Sequence, residues 1–594
     1  MLTGRLLVGE KSMAEAAVTL DDKYTLDKGR VFITGVQALA RLPMVQRQRD
    51  VLNGLNTAGF ISGYRGSPLG GYDQQLWNAR KFLENNHIKF QPGLNEDLAA
   101  SAIWGSQQTN LFEGGKYDGV FGIWYGKGPG VDRCGDVFKH GNMSGPSKHG
   151  GVLLIAGDDH AAKSSTVPHQ SEFAFVDASI PVLNPAGVQE ILDYGVLGFE
   201  MSRFSGCWVA FKTTAENMDS SSSIDVSPDR INIELPDFAM PEGGLHIRWP
   251  DDWIEQEHRL HNYKLNAARA FARANKIDKL VIDSSNAKLG IVTTGKSYLD
   301  VRQALEDLGL SEEKAAAIGI RLYKVGMPWP LEPTGVHEFA RGLEEILVIE
   351  EKRPLIENQL KEELYNHPSN KRPRIVGKLD EKQQPLQSAA GVLTANQIAS
   401  VIASRIALFD QGSEIQRQLR IMEDREAQLV QSKTDFARTP YFCSGCPHNT
   451  STKVPEGSRA TAGIGCHFMS VWMDRDTSTF THMGAEGTPW IGQAAFTETK
   501  HIFANLGDGT YTHSGALAIR ASAASGVNIT YKILFNDAVA MTGGQPADGG
   551  FTVPQIAAQV AAEGAKQVRV CSDDPDKYPI GTKWPENTTI HHRD

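Results

Sequence analysis

The sequence predicts a multidomain α/β protein in which parallel sheets are flanked by helices. Apolar, β-rich runs repeatedly end in a glycine-rich turn and lead into a helical pattern, which is typical of parallel-sheet domains. The chain has 594 residues, of which 41% are hydrophobic and 22% charged. That length is enough for roughly three or four domains with large cores.

The first predicted domain covers residues 30–240 and follows an N-terminal extension, residues 1–29. Its strands are predicted from continuous apolar runs with turn residues close by. These runs are GVFGIWYG at 119–126, GVLLIAGDD at 151–159 and CWVAFKTT at 207–214. Runs of this kind indicate strands that are covered on both faces.

A segment rich in Pro, Gly and Trp, residues 240–253, predicts the next domain boundary. Strand and helix patterns then alternate, which predicts a small βαβ domain within 241–380; they lie at 288–295, 297–310, 320–326 and 345–351. The polar stretch 366–387 is predicted to be a linker or a surface excursion. Helical patterns make 381–435 a helical linker.

The last predicted domain covers residues 436–594. Its strands are predicted at 501–506 and 528–535, with a helix-like segment between them at 510–525. Strand, helix and strand in this order form a βαβ unit, whose two strands are parallel neighbours.

Charge and cysteine content exclude several classes of protein. The net charge of −10 argues against a broad nucleic-acid or anionic-membrane surface. No apolar run approaches the roughly 20 residues that span a bilayer, so we expect a cytoplasmic protein. Six cysteines are too few for a disulfide scaffold, but three of them, Cys443, Cys446 and Cys466, crowd into 24 residues. That clustering points to metal or cluster chemistry.

The most informative segment is Gly507-Asp508-Gly509, followed after 26 residues by Asn536. Both halves follow predicted strands, and the carboxyl ends of parallel strands meet at one sheet edge. Glycines let the backbone approach a diphosphate, and Asp508 offers the hard oxygen ligand that Mg²⁺ prefers. The alternative is a plain tight turn followed by an unrelated polar strand end. The spacing resembles the thiamine diphosphate motif, which implies Mg²⁺ ligands from Asp508, Asn536 and the carbonyl of Ala538.

The cysteine pair in CSGCPHN, with Cys466 in GIGCHFM, could bind one metal site. Iron–sulfur and zinc both fit the spacing, and His448 or His467 could complete a zinc site. A thioredoxin-like redox pair is a third alternative, although the surroundings are not thioredoxin-like.

Several motifs together resemble the 2-oxoacid:ferredoxin oxidoreductases, in particular the indolepyruvate ferredoxin oxidoreductase family and the N-terminal portion of its long fused form. They are CSGCPHN, GIGCHFM, MGAEG at 483–487, GDGTYTHSG and MTGGQ. The resemblance implies thiamine diphosphate, with Gly543 and Gly544 near the phosphates, and a [4Fe–4S] cluster on Cys443, Cys446 and Cys466. The fourth ligand is either Cys571, whose apolar surroundings favour a buried structural cysteine, or lies outside this chain.

The resemblance extends to the first domain, which it implies is of the pyrimidine-binding type, and it likens 241–380 to the C-terminal domain of transketolase. GYRGSPLGGYD looks like a substrate loop, with Ser67 near the oxo acid. NEDLAASAIWGSQ looks like the segment whose glutamate contacts the aminopyrimidine; we assign that catalytic role to Glu96, with Asp97 as its competitor. Arg65 and Lys127 could attract a substrate carboxylate or could be surface charges.

The activity that the resemblance implies is oxidative decarboxylation of a 2-oxo acid, such as an arylpyruvate, to an acyl-CoA. Coenzyme A, ferredoxin, a homodimer partner and the missing downstream domains or a separate subunit are the implied partners. A non-oxidative thiamine-dependent decarboxylase and a truncated or non-catalytic subunit stay open as alternatives.

Overall fold

The structure is a computed structural model that describes residues 18–368, 371–410, 412–431, 439–542 and 544–593. It contains three helix-flanked sheets of six, five and four strands, and two further ribbons of two strands each. The predicted fold class is therefore confirmed. The domain boundaries stay predictions, and most of the N-terminal extension lies outside the described residues.

The first unit is built on a six-stranded sheet in which every strand is parallel. Its order is β3-β2-β4-β5-β7-β6, and β1 pairs with β8 in a separate antiparallel ribbon. The strands are β1 (Arg30–Thr34), β2 (Thr57–Gly63), β3 (Ile88–Phe90), β4 (Gly119–Lys127), β5 (Val152–Asp158), β6 (Val182–Leu183), β7 (Val209–Thr214) and β8 (Ser221–Asp225).

Helices cover both faces of this sheet because its central strands are buried along their whole length. A capping box at Thr34 starts the helix Gly35–Leu52, and the left-handed Gly206 ends the helix Val188–Ser205. The helices of this unit are Asp22–Thr25, Gly35–Leu52, Gly70–Asn78, Arg80–Asn85, Glu96–Gln107, Gly128–Arg133, Gly135–Ser144, Glu172–Asp177, Val188–Ser205 and Ala215–Met218.

The second unit is a five-stranded sheet with the order β13-β12-β10-β11-β9, parallel except at the edge strand β9. The strands are β9 (Lys279–Ile282), β10 (Leu289–Thr294), β11 (Ile320–Val325), β12 (Glu345–Ile349) and β13 (Arg374–Val376). The flanking helices are Gly295–Asp307, Glu312–Ile318, Pro333–Ala340, Ile356–Leu364, Ala395–Ile406 and Ser413–Gln431.

One segment behaves differently from the sequence expectation. The stretch 366–387, expected to be a linker, contributes β13, because its short apolar run Arg374–Val376 pairs with β12. The helix Leu265–Ala274, which follows Trp253–Arg259 and a π-helical turn at Leu260–Lys264, packs on the helix Val188–Ser205 of the first unit. Its alanine and phenylalanine face is apolar, and the first sheet's core buries that face.

The third unit is a four-stranded parallel sheet with the order β15-β14-β16-β17, followed by the parallel ribbon β18-β19. The strands are β14 (Ala460–Ala462), β15 (Thr477–Phe480), β16 (Ile502–Gly507), β17 (Ile529–Leu534), β18 (Val568–Ser572) and β19 (Thr588–His592). Its helices are His448–Ser451, Pro489–Gln493, Asp508–Thr510, Ala516–Ser525 and Val553–Ala562, with a π-helical turn at Tyr511–Gly515. Short 3₁₀ turns occur at Thr109–Leu111, Cys466–Trp472, Ala494–Phe496, Ala540–Thr542 and Pro575–Lys577.

Contacts across long sequence separations join the first and third units. The guanidinium of Arg65 binds the carboxylate of Asp548, and Leu94 packs against Gly549. Among the described residues, none of the helices combines the length and the hydropathy required to cross a bilayer.

Candidate functional site at the junction of the first and third units

The two halves of the Gly-Asp-Gly…Asn motif meet at one edge of the third sheet. Asp508 directly follows β16, and Asn536 lies two residues beyond the end of β17, its parallel neighbour. The buried carboxylate of Asp508 accepts hydrogen bonds from the backbone N–H groups of Asn536 at 3.0 Å and Asp537 at 2.7 Å. This places Asp508 and Asn536 side by side, as the spacing predicts.

The backbone around this carboxylate is tightly turned. Asp537 has a φ of 55°, and the side-chain oxygen of Asn536 accepts from the N–H of Ala538 at 3.3 Å. The chain then folds back, since Val539 donates to the carbonyl of Gln545 and Gly544 donates to the carbonyl of Val539. Gly543 lies outside the described residues. The Asp508 carboxylate therefore lies beside Asn536, and the side-chain oxygen of Asn536 lies beside the backbone of Ala538. These residues offer a carboxylate, an amide oxygen and a backbone carbonyl at one edge of the sheet.

The three clustered cysteines lie near this edge, since Cys443, Cys446 and Asp508 all act on Cys466. Cys443 and Cys446 flank a turn closed by the hydrogen bond from the N–H of Cys446 to the carbonyl of Cys443. Burial raises the pKa of the Cys466 thiol, and the nearby groups of Cys446, Cys443 and Asp508 raise it further. In the described ranges, no three His, Cys, Asp or Glu side chains are arranged as a metal site. The Cys443 and Cys446 thiols are thus close enough to Cys466 to raise its pKa, but the described side chains are not arranged as a metal-binding site.

Cys571 differs from the sequence expectation of a buried structural cysteine, which is wrong. It lies in β18, opposite His591 in β19, and its side chain is exposed. A two-stranded ribbon has no second layer over this face, so the apolar run around Cys571 does not bury it.

Two histidines next to the cysteines are buried. Burial lowers the pKa of His448, against the effect of Asp508, and burial together with His448 lowers the pKa of His467 to about 3. The Nε2 atom of His467 has no hydrogen-bond partner among the described residues, and the ring packs beside Gly507. A buried ring nitrogen without a partner at the start of the Gly-Asp-Gly turn marks a place where a polar ligand group could bind.

Glu96 is brought to this edge from the first unit. It opens the helix Glu96–Gln107, which Asn95 caps by accepting the N–H of Leu98 at 3.1 Å. Its Oε2 lies 2.7 Å from Nε2 of His513, a residue of the GDGTYTHSG segment, and 3.8 Å from Nε of Arg133. Burial raises the pKa of the Glu96 carboxyl, but the hydrogen bond and charge of His513, a backbone hydrogen bond and the charge of Arg133 together leave this pKa lowered.

The glycine-rich turn Gly128–Arg133 forms the other wall around Glu96. A Cβ on Gly130 would lie 2.6 Å from Cγ and 3.0 Å from Oε1 of Glu96, so only glycine leaves room for the carboxylate. Asp97, the competitor for the catalytic role, is half-buried on the next position of the helix and makes no contact of this kind among the described residues. Of these two carboxylates, Glu96 is the one that contacts His513 and Gly130.

The predicted substrate residues lie at the carboxyl edge of the first sheet. Ser67 is exposed and precedes a cis peptide bond to Pro68. Lys127 packs along Gly66 and donates from Nζ to the carbonyl of Ser164 at 2.9 Å. Arg65 is buried between Asp73 and Asp548, so its charge is already paired and joins the two units. Of the two basic candidates, Lys127 is the one that remains near Ser67 without a carboxylate partner among the described residues.

Sequence reasoning did not single out two buried groups of the site, His513 and Glu486. Glu486 is fully buried in the MGAEG loop, where its carboxylate accepts the N–H groups of Ile464 at 3.2 Å and Gly484 at 2.9 Å. Burial raises its pKa to about 7. Both residues lie inside motifs quoted for the resemblance, and an acidic side chain between glycines was the available signal for Glu486.

The loop after β5 carries a further buried ionic group. Asp158 accepts the N–H of Ser171 at 2.9 Å, and Lys212 lies 3.6 Å from Asp158 and 2.5 Å from Glu172. His160 lies beside them, and burial together with Lys212 holds its pKa well below the usual range. These contacts hold the loop against the carboxyl edge of the first sheet.

The fold and the site together define a multidomain α/β protein with mainly parallel sheets and a polar site where two units meet. Residues 279–429 match the family model described as "Indolepyruvate oxidoreductase domain". This range begins at the first residue of β9 and ends inside the helix Ser413–Gln431, so it corresponds to the second sheet and its helices.

Curated relatives extend the match over more of the chain. "Indolepyruvate oxidoreductase subunit IorA" of Pyrococcus horikoshii is 26% identical over 435 residues, which are 68% of this chain and 62% of the relative. The protein of the same name from Methanothermobacter marburgensis is 22% identical over 549 residues, 89% of this chain and 79% of the relative. The chain is therefore similar to indolepyruvate oxidoreductases over most of its length. It spans less than two thirds of the length of the Pyrococcus relative.

Solved structures give weaker similarity. The 2-oxoglutarate:ferredoxin oxidoreductase from Magnetococcus marinus is 16% identical with a TM-score of 0.44, covering 64% of this chain and 65% of that one. A split-gene transketolase is 12% identical with a TM-score of 0.37, covering 64% of this chain and 99% of that one.

Proposed function

We propose that this chain binds thiamine diphosphate through Mg²⁺ and is the cofactor-binding part of an enzyme that oxidatively decarboxylates a 2-oxo acid. The observation that carries the proposal is the buried carboxylate of Glu96, held by His513 at the same junction as Asp508 and Asn536. The family match supports an oxidoreductase. An arylpyruvate such as indolepyruvate is the substrate that we propose, because the relatives carry that name.

The residues at the strand edge fit a Mg²⁺-bound diphosphate. Asp508, Asn536 and the carbonyl of Ala538 supply only oxygen ligands, which is the preference of Mg²⁺, and they include one charged group. A ligand set with a single acidic residue would not form a cluster of three His, Cys, Asp or Glu side chains. The orphaned Nε2 of His467 beside Gly507 adds a polar group that faces the same turn.

The chain's own residues would transfer one proton and would keep water away from the carboxylate that transfers it. Thiamine diphosphate, when bound, supplies a carbon nucleophile and an electron sink for decarboxylation. Glu96 would exchange a proton with the ring nitrogen of the aminopyrimidine, and its lowered pKa keeps the carboxylate ionised before that exchange. The walls formed by Gly130 and His513 exclude water from this carboxylate.

Electron transfer requires a second group. We propose that Cys443, Cys446 and Cys466 are ligands of a [4Fe–4S] cluster, which accepts electrons singly, and that the fourth ligand lies outside this chain. The proximity of the Cys466 thiol to Cys443, Cys446 and Asp508 supports this proposal.

The proposed partners follow from the same function. Coenzyme A would accept the acyl group, and ferredoxin would accept the electrons. Downstream domains, or a separate subunit, would supply the rest of the electron route. We also propose a homodimer, located in the cytoplasm.

Anaerobic purification followed by iron, sulfide and thiamine analysis tests the proposal. We expect Mg²⁺-dependent binding of thiamine diphosphate by calorimetry and a brown protein with substoichiometric, labile iron. Reduction of viologen by a 2-oxo acid should appear when the downstream polypeptide is added. Thiamine binding with no iron, together with release of an aldehyde, would instead identify a non-oxidative decarboxylase. No binding of the cofactor would overturn the proposal.

A further inference from the structure

His513 connects three loops of the site through one side chain. Its Nε2 lies 2.7 Å from Oε2 of Glu96, and its Nδ1 lies 2.6 Å from the hydroxyl of Ser514. Its backbone carbonyl accepts a hydrogen bond from the side chain of Asn95 at 3.2 Å, and its ring stacks edge-on against Tyr64 with centroids 4.7 Å apart. Glu96 and His513 are 417 positions apart in the sequence, so this contact exists only when the first and third units are docked.

We propose that His513 is a positioning residue for Glu96, which fixes one carboxylate oxygen and thereby directs the other to the cofactor. This inference rests on the proposed function, because the role of Glu96 as the proton-exchanging group comes from it. His513 does not itself need to contact the cofactor or the substrate in order to act in this way.

The two oxygens of Glu96 have different surroundings, which is the geometric basis of the assignment. Oε2 is bound by His513, whereas Oε1 lies against the bare Cα of Gly130, where a side chain would collide with it. The carboxylate of a glutamate can rotate about the last bond of its side chain. A charge-assisted hydrogen bond to one of its oxygens restricts that rotation. Because the side chain of His513 is only 1% exposed, water does not compete for this bond.

The histidine is in turn held by the loop that carries Glu486. A Cβ on Gly484 would lie 1.9 Å from the hydroxyl oxygen of Ser514, so that hydroxyl sits directly against the MGAEG backbone. Ser514 then contacts Nδ1 of His513, and His513 contacts Glu96. Residues from three separate motifs therefore determine the orientation of one carboxylate.

Charged and titratable groups on each packed element act on Glu96 and must be considered in any titration. The element that carries His513 supplies the direct hydrogen bond, and Arg133 from the glycine-rich turn adds a cation at 3.8 Å. Lys127, Tyr64 and Cys134 also interact electrostatically with Glu96. Loss of His513 removes the nearest of these groups and leaves burial to raise the pKa of Glu96.

The test compares His513→Phe, which keeps a ring but removes both nitrogens, with His513→Gln, which keeps an N–H donor. The matched control is His501→Gln. His501 directly precedes β16 and contacts Thr530, whereas His513 lies beyond the other end of β16. The protonation of Glu96 is followed in the cofactor-free full chain by infrared spectroscopy of ¹³C-glutamate-labelled protein. The Glu96 band is identified by its loss in Glu96→Gln.

In His513→Phe we expect the Glu96 midpoint to rise by about one pH unit or more, as for loss of a hydrogen bond to a buried carboxylate. His513→Gln should restore part of that shift, and His501→Gln should leave the midpoint unchanged. In the cofactor-loaded protein, the pH profile of hydrogen–deuterium exchange at the thiazolium carbon should also move to higher pH. The shift should be largest in His513→Phe, smaller in His513→Gln and absent in His501→Gln. Affinity for thiamine diphosphate should stay within about threefold of wild type, because His513 bears on Glu96 and not on the diphosphate.

An unchanged Glu96 midpoint in a folded His513→Phe or His513→Gln protein overturns the proposal. A shifted midpoint with an unshifted exchange profile overturns it as well, because the hydrogen bond would then be structural only. If the wild-type chain does not bind thiamine diphosphate, the proposed function fails while the infrared titration still reports whether His513 controls Glu96.

Discussion

Substitution of Asp508 by alanine tests the proposed Mg²⁺ site most directly. Asp508 is buried and accepts three backbone hydrogen bonds, from Gly509 at 2.8 Å, Asn536 at 3.0 Å and Asp537 at 2.7 Å. In the cofactor complex the same carboxylate would be the single anionic protein ligand of the metal. Asp508→Ala therefore removes both the anchor of the Asn536 turn and the charge that compensates the cation.

The magnitude follows from the loss of one partner of a buried charge pair. Such a loss costs about 3–5 kcal/mol, which corresponds to a few hundred- to a few thousand-fold in Kd. The freed N–H groups of Asn536 and Asp537 would also loosen the turn that presents Asn536 and Ala538. We therefore expect no measurable Mg²⁺-dependent binding of thiamine diphosphate at concentrations that saturate the wild-type chain.

Isothermal calorimetry with and without Mg²⁺ is the assay, and circular dichroism checks that the variant is folded. Asp474→Ala is the matched control, because Asp474 is an exposed carboxylate on the same unit. The control should bind as the wild type does. An Asp508→Ala protein that is folded and binds with unchanged, Mg²⁺-dependent affinity would refute the placement of the metal site.

Three further predictions concern the other groups of the site. Glu96→Gln should retain cofactor binding but slow hydrogen–deuterium exchange at the thiazolium carbon by about two to four orders of magnitude; a wild-type exchange rate would contradict its role. Cys443→Ser should lower the iron content of anaerobically purified protein, whereas Cys571→Ser should not, and loss of a stable cluster on Cys571→Ser would show that this chain completes its own site. The folded-state pKa of Glu486 is raised from 4.5 to about 7, so its contribution to stability is fully present below pH 4.5 and is lost as the pH rises through 7. That loss is worth about 3 kcal/mol, and Glu486→Gln should flatten the corresponding fall in the thermal unfolding midpoint; an identical pH profile would contradict the burial of this carboxyl.

The strands that carry the site could be predicted because each is specified by its own residues. The runs predicted at 119–126, 151–159 and 501–506 occur as β4, β5 and β16 within one or two residues at each end. The contact between Asp508 and Asn536 could also be predicted, since a strand-helix-strand unit of this length brings the two strand ends together.

Segments with weak or mixed patterns were predicted less well. The strand β13 is three residues long inside a polar stretch, and its pairing with β12 is what makes it a strand. The helix Leu265–Ala274 has an apolar face that could have packed on either neighbouring unit, and its sequence does not say which. Cys571 lies in an apolar run, but a ribbon of two strands covers only part of it.

The sequence by itself determined the α/β class, the main buried strands of each unit, and the local pairing of Asp508 with Asn536. Those features depend on periodicity, turn residues and short loops, all of which are encoded close to the residues concerned. Only the tertiary structure decided that Glu96 meets His513, that Arg65 pairs with Asp548 and that Gly130 faces the Glu96 carboxylate. These contacts form only when separate units of the chain dock against one another. A sequence pattern within one segment does not say which side chain of a distant segment will become its buried hydrogen-bond partner.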